Sequence, residues 1–184
     1  MKKIIKIGFA SFIVLFLISP GLTLAKDVSF YAQKEVDKGW DAFNGGDLDR
    51  ALRDFNQATK IDPSYAPAYY GKGHVYMGQD KFGLAIRFFK KSIELATEPM
   101  ADYHVYLGLS NALIGNEQEA VRMYNKALSI DPMNKEAHIN LANYYCSELN
   151  GKKAWEHIRF ALKMKEDINE DLLKEMKSLC PEGK

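Results

Sequence analysis

Two pairs of residues in this chain have side chains able to bind metal or exchange electrons, and they share one spacing. His104 and His138 stand 34 residues apart, and so do Cys146 and Cys180. Two imidazoles with no carboxylate or thiolate beside them make a weak ligand set. A structural role is therefore expected for both histidines, and no metal or other cofactor is expected. His74 and His157 add nothing by spacing. For the cysteines two outcomes stay open. An oxidising compartment favours a bridge. Yet equivalent positions on neighbouring helices sit about 8–10 Å apart and point in parallel, while a disulfide needs Cα atoms within roughly 7 Å. Only a tilt or register shift of the last helix would bring the two thiols together.

Other chemistry leaves no mark on the sequence. It holds no phosphate-cradling glycine loop, no HExxH, no GxSxG and no CxxC. Nucleotide, metalloprotease, hydrolase and thiol redox signatures are thus all missing, and the expectation is a non-enzymatic protein.

The 34-residue interval belongs to the whole chain. Ala51-Phe55-Ala58, Ala85-Phe89-Ser92, Ala120-Tyr124-Ala127 and Ala154-Ile158-Ala161 are one small–large–small pattern at i, i+4 and i+7, written four times. Those offsets share one face of an α-helix. Upstream of each stands a small residue, Gly39, Gly73, Gly108 and Ala142. Glycine inside a helix costs about 1 kcal/mol against alanine, so its recurrence points to close helix-to-helix packing. Turn residues lie between: Gly45-Gly46-Asp47, Gly78-Gln79-Asp80, Gly115-Asn116 and Asn150-Gly151. Asp62-Pro63 and Asp131-Pro132 end the second helix of their units.

A small residue at the eighth position, alanine at the twentieth, an aromatic at the twenty-fourth, alanine at the twenty-seventh and proline at the thirty-second resemble the tetratricopeptide repeat. The resemblance implies an all-α fold, a superhelical array of four antiparallel helix hairpins. On its frame the units run 32–65, 66–99, 101–134 and 135–168, preceded by a short lead at 26–31. Repeat two departs by its early turn glycine, Gly78, by Ser92 and by one extra residue near Pro99. Repeat four lacks the proline and uses Ala142 and Ile158. An array needs its last apolar face covered. Residues 169–184 are expected to do this as a capping helix and tail, with Leu172, Leu173, Met176 and Leu179 on a stripe. On the same frame His104 and His138 take the fourth position, which packs against the second helix.

The resemblance also implies a concave groove lined by the first helix of each unit. The expected partner-binding residues are Val36, Trp40 and Phe43 from repeat one, and Tyr70, His74 and Met77 from repeat two. Val105, Leu109 and Ala112 follow from repeat three, and Ile139 and Asn143 from repeat four. Relatives that grip acidic carboxyl tails of chaperones use lysine, arginine and asparagine at the fifth and ninth positions. Here those positions hold Val36, Trp40, Tyr70, His74, Val105 and Leu109, so that clamp is absent. The expected function is a scaffold holding an apolar stretch of another protein, with aromatic anchors. The alternatives are a structural or assembly subunit of an envelope complex such as a pilus, secretion or outer-membrane assembly machine, and a homodimer. Val28, Phe30 and Tyr31 folding back into the groove would be a bland occupant.

The first residues address the chain. Lys2, Lys3 and Lys6 precede an apolar run from Ile7 to Ile18, Pro20-Gly21 interrupts it, and Thr23-Leu24-Ala25 presents small residues. This is the layout of a secretory signal peptide at 1–25, and the run is shorter than the roughly 20 apolar residues of a comfortable span. An exported, periplasmic protein of bacterial type is expected, with membrane contact only if the segment is not cleaved. Without those residues the charge balance turns slightly acidic, since they carry three lysines and no acid. Nothing there suits nucleic acid, so the expected partners are envelope proteins. The whole chain is 47% hydrophobic and 27% charged, a balance that fits a packed core.

Overall fold

A computed structural model describes residues 20–163 together with Lys174, Ser178 and Cys180, and side chains from Val28 onward. Among the described residues, eight helices between 20 and 163 form four antiparallel hairpins. These are α1 (Pro20–Asn44) with α2 (Leu48–Ile61), α3 (Ala66–Gly78) with α4 (Phe82–Leu95), α5 (Ala101–Leu113) with α6 (Glu117–Ile130), and α7 (Lys135–Ser147) with α8 (Gly151–Lys163). Consecutive helices pack on one another throughout, and α1 also touches α3 as α5 touches α7. The hairpins therefore stack in chain order, with the first helix of each along one side.

Packing follows the repeated pattern. Ala51, Phe55 and Ala58 of α2 are fully buried, as are Ala85, Phe89 and Ser92 of α4. The glycines explain why the rings fit. A Cβ placed on Gly39 would lie 2.6 Å from the Phe55 ring, one on Gly73 would lie 2.4 Å from Phe89, and one on Gly108 2.7 Å from Tyr124. Each ring tip thus rests on bare backbone. In repeat four the large residue is Ile158, shorter than an aromatic, and alanine at position 142 is tolerated opposite it. The Phe55 ring does more, since a Cβ on Gly71 of the next repeat would also lie 2.4 Å from it. One side chain wedges between α1 and α3.

The turns differ in part from the sequence reading. Each hairpin has one residue in the left-handed region: Gly46 (φ 81°), Asp80 (φ 57°), Gly115 (φ 82°) and Leu149 (φ 55°). Gly78 is the last residue of α3 and Gly151 the first of α8, so neither serves the role its type suggested. Asp80 accepts this conformation more readily than most side chains. Leu149 does so at a cost of order 1 kcal/mol and stands 91% exposed. Caps complete the ends. The Asp47 carboxylate accepts from the Arg50 N–H at 2.9 Å and Asn134 Oδ1 accepts from the Ala137 N–H at 2.9 Å.

Both ends of the chain extend past the repeat frame. Residues 26–31 are part of α1 rather than a separate lead, because the helix begins at Pro20, where the ring's fixed φ suits a first turn. The apolar run from Ile7 to Ile18 lies outside the described residues, as do Leu172, Leu173, Met176 and Leu179 of the expected capping helix. Lys174 and Ser178 are helical, and Cys180 lies buried in a bend.

Candidate functional site

The first helices of repeats one to three bring a band of rings together. Trp40 and Phe43, three residues apart on α1, meet edge to face at 5.5 Å. Trp40 reaches Tyr70 at 6.0 Å and His74 at 5.1 Å on α3. Tyr70 stacks on Tyr103 of α5 at 4.5 Å, and His74 lies 4.2 Å from Tyr106. The band continues downward into the core, with Trp40 on Phe55 at 5.3 Å and Tyr70 on Phe89 at 5.7 Å. Its members support one another, so the rings are held in fixed geometry before any ligand arrives.

The eleven expected groove residues divide by burial. Trp40, Phe43, Tyr70 and Met77 are half-buried. Leu109 and Ala112 are half-buried, and Asn143 is exposed; all three line one cleft of about 230 Å³ with Val121, Tyr124 and Tyr144. Ile139 is half-buried. Val36, Val105 and His74 are buried, packed beneath the groove where they support it rather than meet a ligand. Tyr103 and Tyr106 belong to the band although the sequence reading passed over them. Their spacing of i, i+3 puts both on one side of α5, which was the available signal.

Burial sets the electrostatics. His74 is 7% exposed and its Nε2 has no hydrogen-bond partner. Desolvation among the rings lowers its pKa to about 4, which keeps it neutral at ordinary pH. Burial pushes Tyr103 up to about 12, with help from Tyr65 and Asp102. Burial raises Tyr106 as well, reinforced by Glu136 and Asp102. These phenols stay protonated and act as donors or apolar faces. Asp102 and Glu136 are exposed on the same side as the rings. Asp102 also accepts from Asn134 Nδ2 at 3.0 Å. Gln33 reaches Tyr65 across the first junction and Asp37 along its own helix.

The spaced histidines are engaged locally. The Nδ1–H of His104 donates to the Met100 carbonyl at 3.1 Å. His138 donates from Nε2 to the Pro132 carbonyl at 3.1 Å. Its Nδ1 therefore accepts from the Nδ1–H of His157 at 2.9 Å. Sequence spacing gave no hint of that second pairing, because the two rings come from opposite helices of one hairpin.

Comparison with known proteins places this architecture. A TPR repeat model matches residues 42–80, and a tetratricopeptide repeat model matches 66–99 and 101–134, together half of the chain. Serine/threonine-protein phosphatase 5 of Rattus norvegicus is 27% identical over 116 residues, 63% of this chain and 23% of its own length. Stress-induced-phosphoprotein 1 of Caenorhabditis elegans is 30% identical over 112 residues, 61% of this chain and 35% of its own. The chain thus spans about a quarter to a third of those relatives. Among solved structures, MamA shares the fold at a TM-score of 0.64 and 24% identity, over 78% of this chain and 82% of that one. The second TPR of Spaghetti (RPAP3), bound to the HSP90 peptide SRMEEVD, shares it at 0.54 and 20% identity, over 58% and 98%. The shared part is a non-catalytic module through which such proteins bind other proteins or peptides. By its repeats and its stacked hairpins, the chain belongs to the tetratricopeptide repeat family.

Proposed function

We propose that this chain is an exported scaffold whose concave side holds an apolar segment of another cell-envelope protein. The observation that carries this reading is the preformed band of half-buried rings, Trp40, Phe43, Tyr70 and Tyr106, on consecutive first helices. Aromatic edges on a rigid support offer contact area at little ordering cost. The fifth and ninth positions hold no lysine or arginine, and Asp102 and Glu136 add negative charge beside the tyrosines. An acidic peptide such as SRMEEVD is expected not to bind. Export is supported by Lys2, Lys3, Lys6 and the apolar run from Ile7 to Ile18. Cleavage after Ala25 would leave the repeats whole, and a mature N-terminus at Lys26 is the expected result of sequencing the purified protein.

A photoreactive residue at Leu109 or Asn143 should crosslink in the cell to a partner of discrete mass. The same group at Leu84, exposed on α4, should not. Equal labelling from both faces would sink the groove as the binding surface.

A self-associating array is the second reading, favoured by Phe30 and Tyr31. Instead of folding back into the groove they stand 66% and 57% exposed on α1, edge to face at 5.7 Å. Replacing both with serine should shift a dimer to monomer in light scattering. A wild-type protein monomeric at high concentration would refute this reading.

A further inference from the structure

We propose that Cys146 and Cys180 form a modification site, at which an external disulfide closes a bridge that staples the C-terminal segment onto the fourth repeat. Cys146 lies in the last turn of α7, one turn beyond Ala142. Ala142 packs with Trp155 and Ile158 in the core of the last hairpin. The indole N–H of Trp155 donates to the carbonyl of Cys180 at 2.8 Å, and both residues are 5% exposed. That buried bond holds the backbone at residue 180 over α8, beside the end of α7. The Cys146 thiol there has Cys180 as its neighbour, and both cysteines are free. Spacing alone left the bridge open, since equivalent residues on parallel helices sit too far apart unless the last helix tilts or shifts. The bend at Cys180 and its Trp155 anchor remove that objection.

The oxidant belongs to the class of reactive disulfides, either oxidised glutathione or a protein disulfide carrier. Half-buried Cys146 loses its proton, and its thiolate attacks the oxidant's S–S bond. A mixed disulfide forms and one oxidant thiolate leaves. The Cys180 thiolate then displaces the second. Two S–H groups have become one S–S bond, and the oxidant's disulfide has become two thiols that take up both protons. Burial, with the neighbouring Cys180, pushes the Cys146 thiol up to about 12. Closure is therefore slow at neutral pH, and the bonded sulfur is a poor leaving group once in place. This suits a lasting staple rather than an exchange catalyst.

The test uses the full mature chain with oxidised glutathione as probe. Intact mass should fall by about 2 Da, peptide mapping should link Cys146 to Cys180 within one chain, and neither thiol should then alkylate without reductant. The bridged protein should melt about 5–10 °C above its own reduced form. Cys146→Ser should show no such redox difference. Two alkylatable thiols after prolonged oxidation, stable glutathione adducts on both cysteines, or bridged and reduced forms with equal melting temperatures would each overturn the proposal. Because both redox forms are one chain, a variant that folds badly cannot mimic the result.

Discussion

Phe55→Ala should lower the unfolding free energy by about 3–5 kcal/mol, the range for deleting a fully buried ring. The ring has 0% exposure and fills the gap left by two glycines on different helices, Gly39 and Gly71. Its loss opens a void inside repeat one and across the junction with repeat two, and neither side can collapse without moving a helix. The same contact makes an opposite-sign test. Gly71→Ala gains about 1 kcal/mol of helix propensity. It also forces a Cβ to 2.4 Å from a ring that has nowhere to go, and overpacking costs about 1–3 kcal/mol. The net expectation is destabilisation, partly relieved by adding Phe55→Leu. Gly83→Ala on α4 meets nothing within 4 Å and should stabilise instead. Urea unfolding of the four variants decides the matter. If Gly71→Ala stabilises as Gly83→Ala does, the ring is not wedged.

Acid should weaken the array through His74. The unfolded imidazole takes up a proton near pH 6.5, whereas burial among the rings holds the folded one down to about 4. Between those values the unfolded chain binds more protons. The stabilisation is therefore complete above pH 6.5 and is lost as pH falls toward 4, by on the order of 3 kcal/mol. His157 is shifted in the same direction, by burial first and then by its neighbour His138. Denaturation at pH 7 and pH 4.5 should show the loss. His74→Leu should flatten most of it and cost little at neutral pH, because Nε2 has no bond to forfeit. An unchanged slope in that variant would remove His74 from the account.

The hairpins were legible because their packing rests on local chemistry repeated at a fixed interval. The small–large–small faces such as Ala51, Phe55 and Ala58 need a bare backbone opposite, and Gly39, Gly73 and Gly108 supply it in every copy but the last. The turns were less legible. A left-handed residue falls at the same place in each hairpin, but only Gly46 and Gly115 declare it by type, while Asp80 and Leu149 are held there by the helices on either side. Trp40, Phe43, Tyr70 and Met77 could be placed from the repeat frame. That frame treats every unit alike, so it put Val36, Val105 and His74 on the surface, where the structure buries them. It also missed Tyr106, which enters the band from the sixth position because the second and third repeats meet through aromatic rings. The neighbourhood of Cys146 and Cys180 was beyond the frame, since it depends on a bend after the last repeat.

The wedge at Phe55 has a consequence for how freely the units can be rearranged. The residue it rests on in the following repeat is glycine in the second unit, tyrosine in the third (Tyr106) and asparagine in the fourth (Asn140). A chain spliced so that the third unit followed the first would set Tyr106 against Phe55 as it is set against Phe89 in the native seam, 6.0 Å ring to ring, and would replace the wedge on Gly71 with a contact between two rings. The repeats are thus told apart by the pairs of side chains at their seams, and a rearranged array would change the contact made at each one.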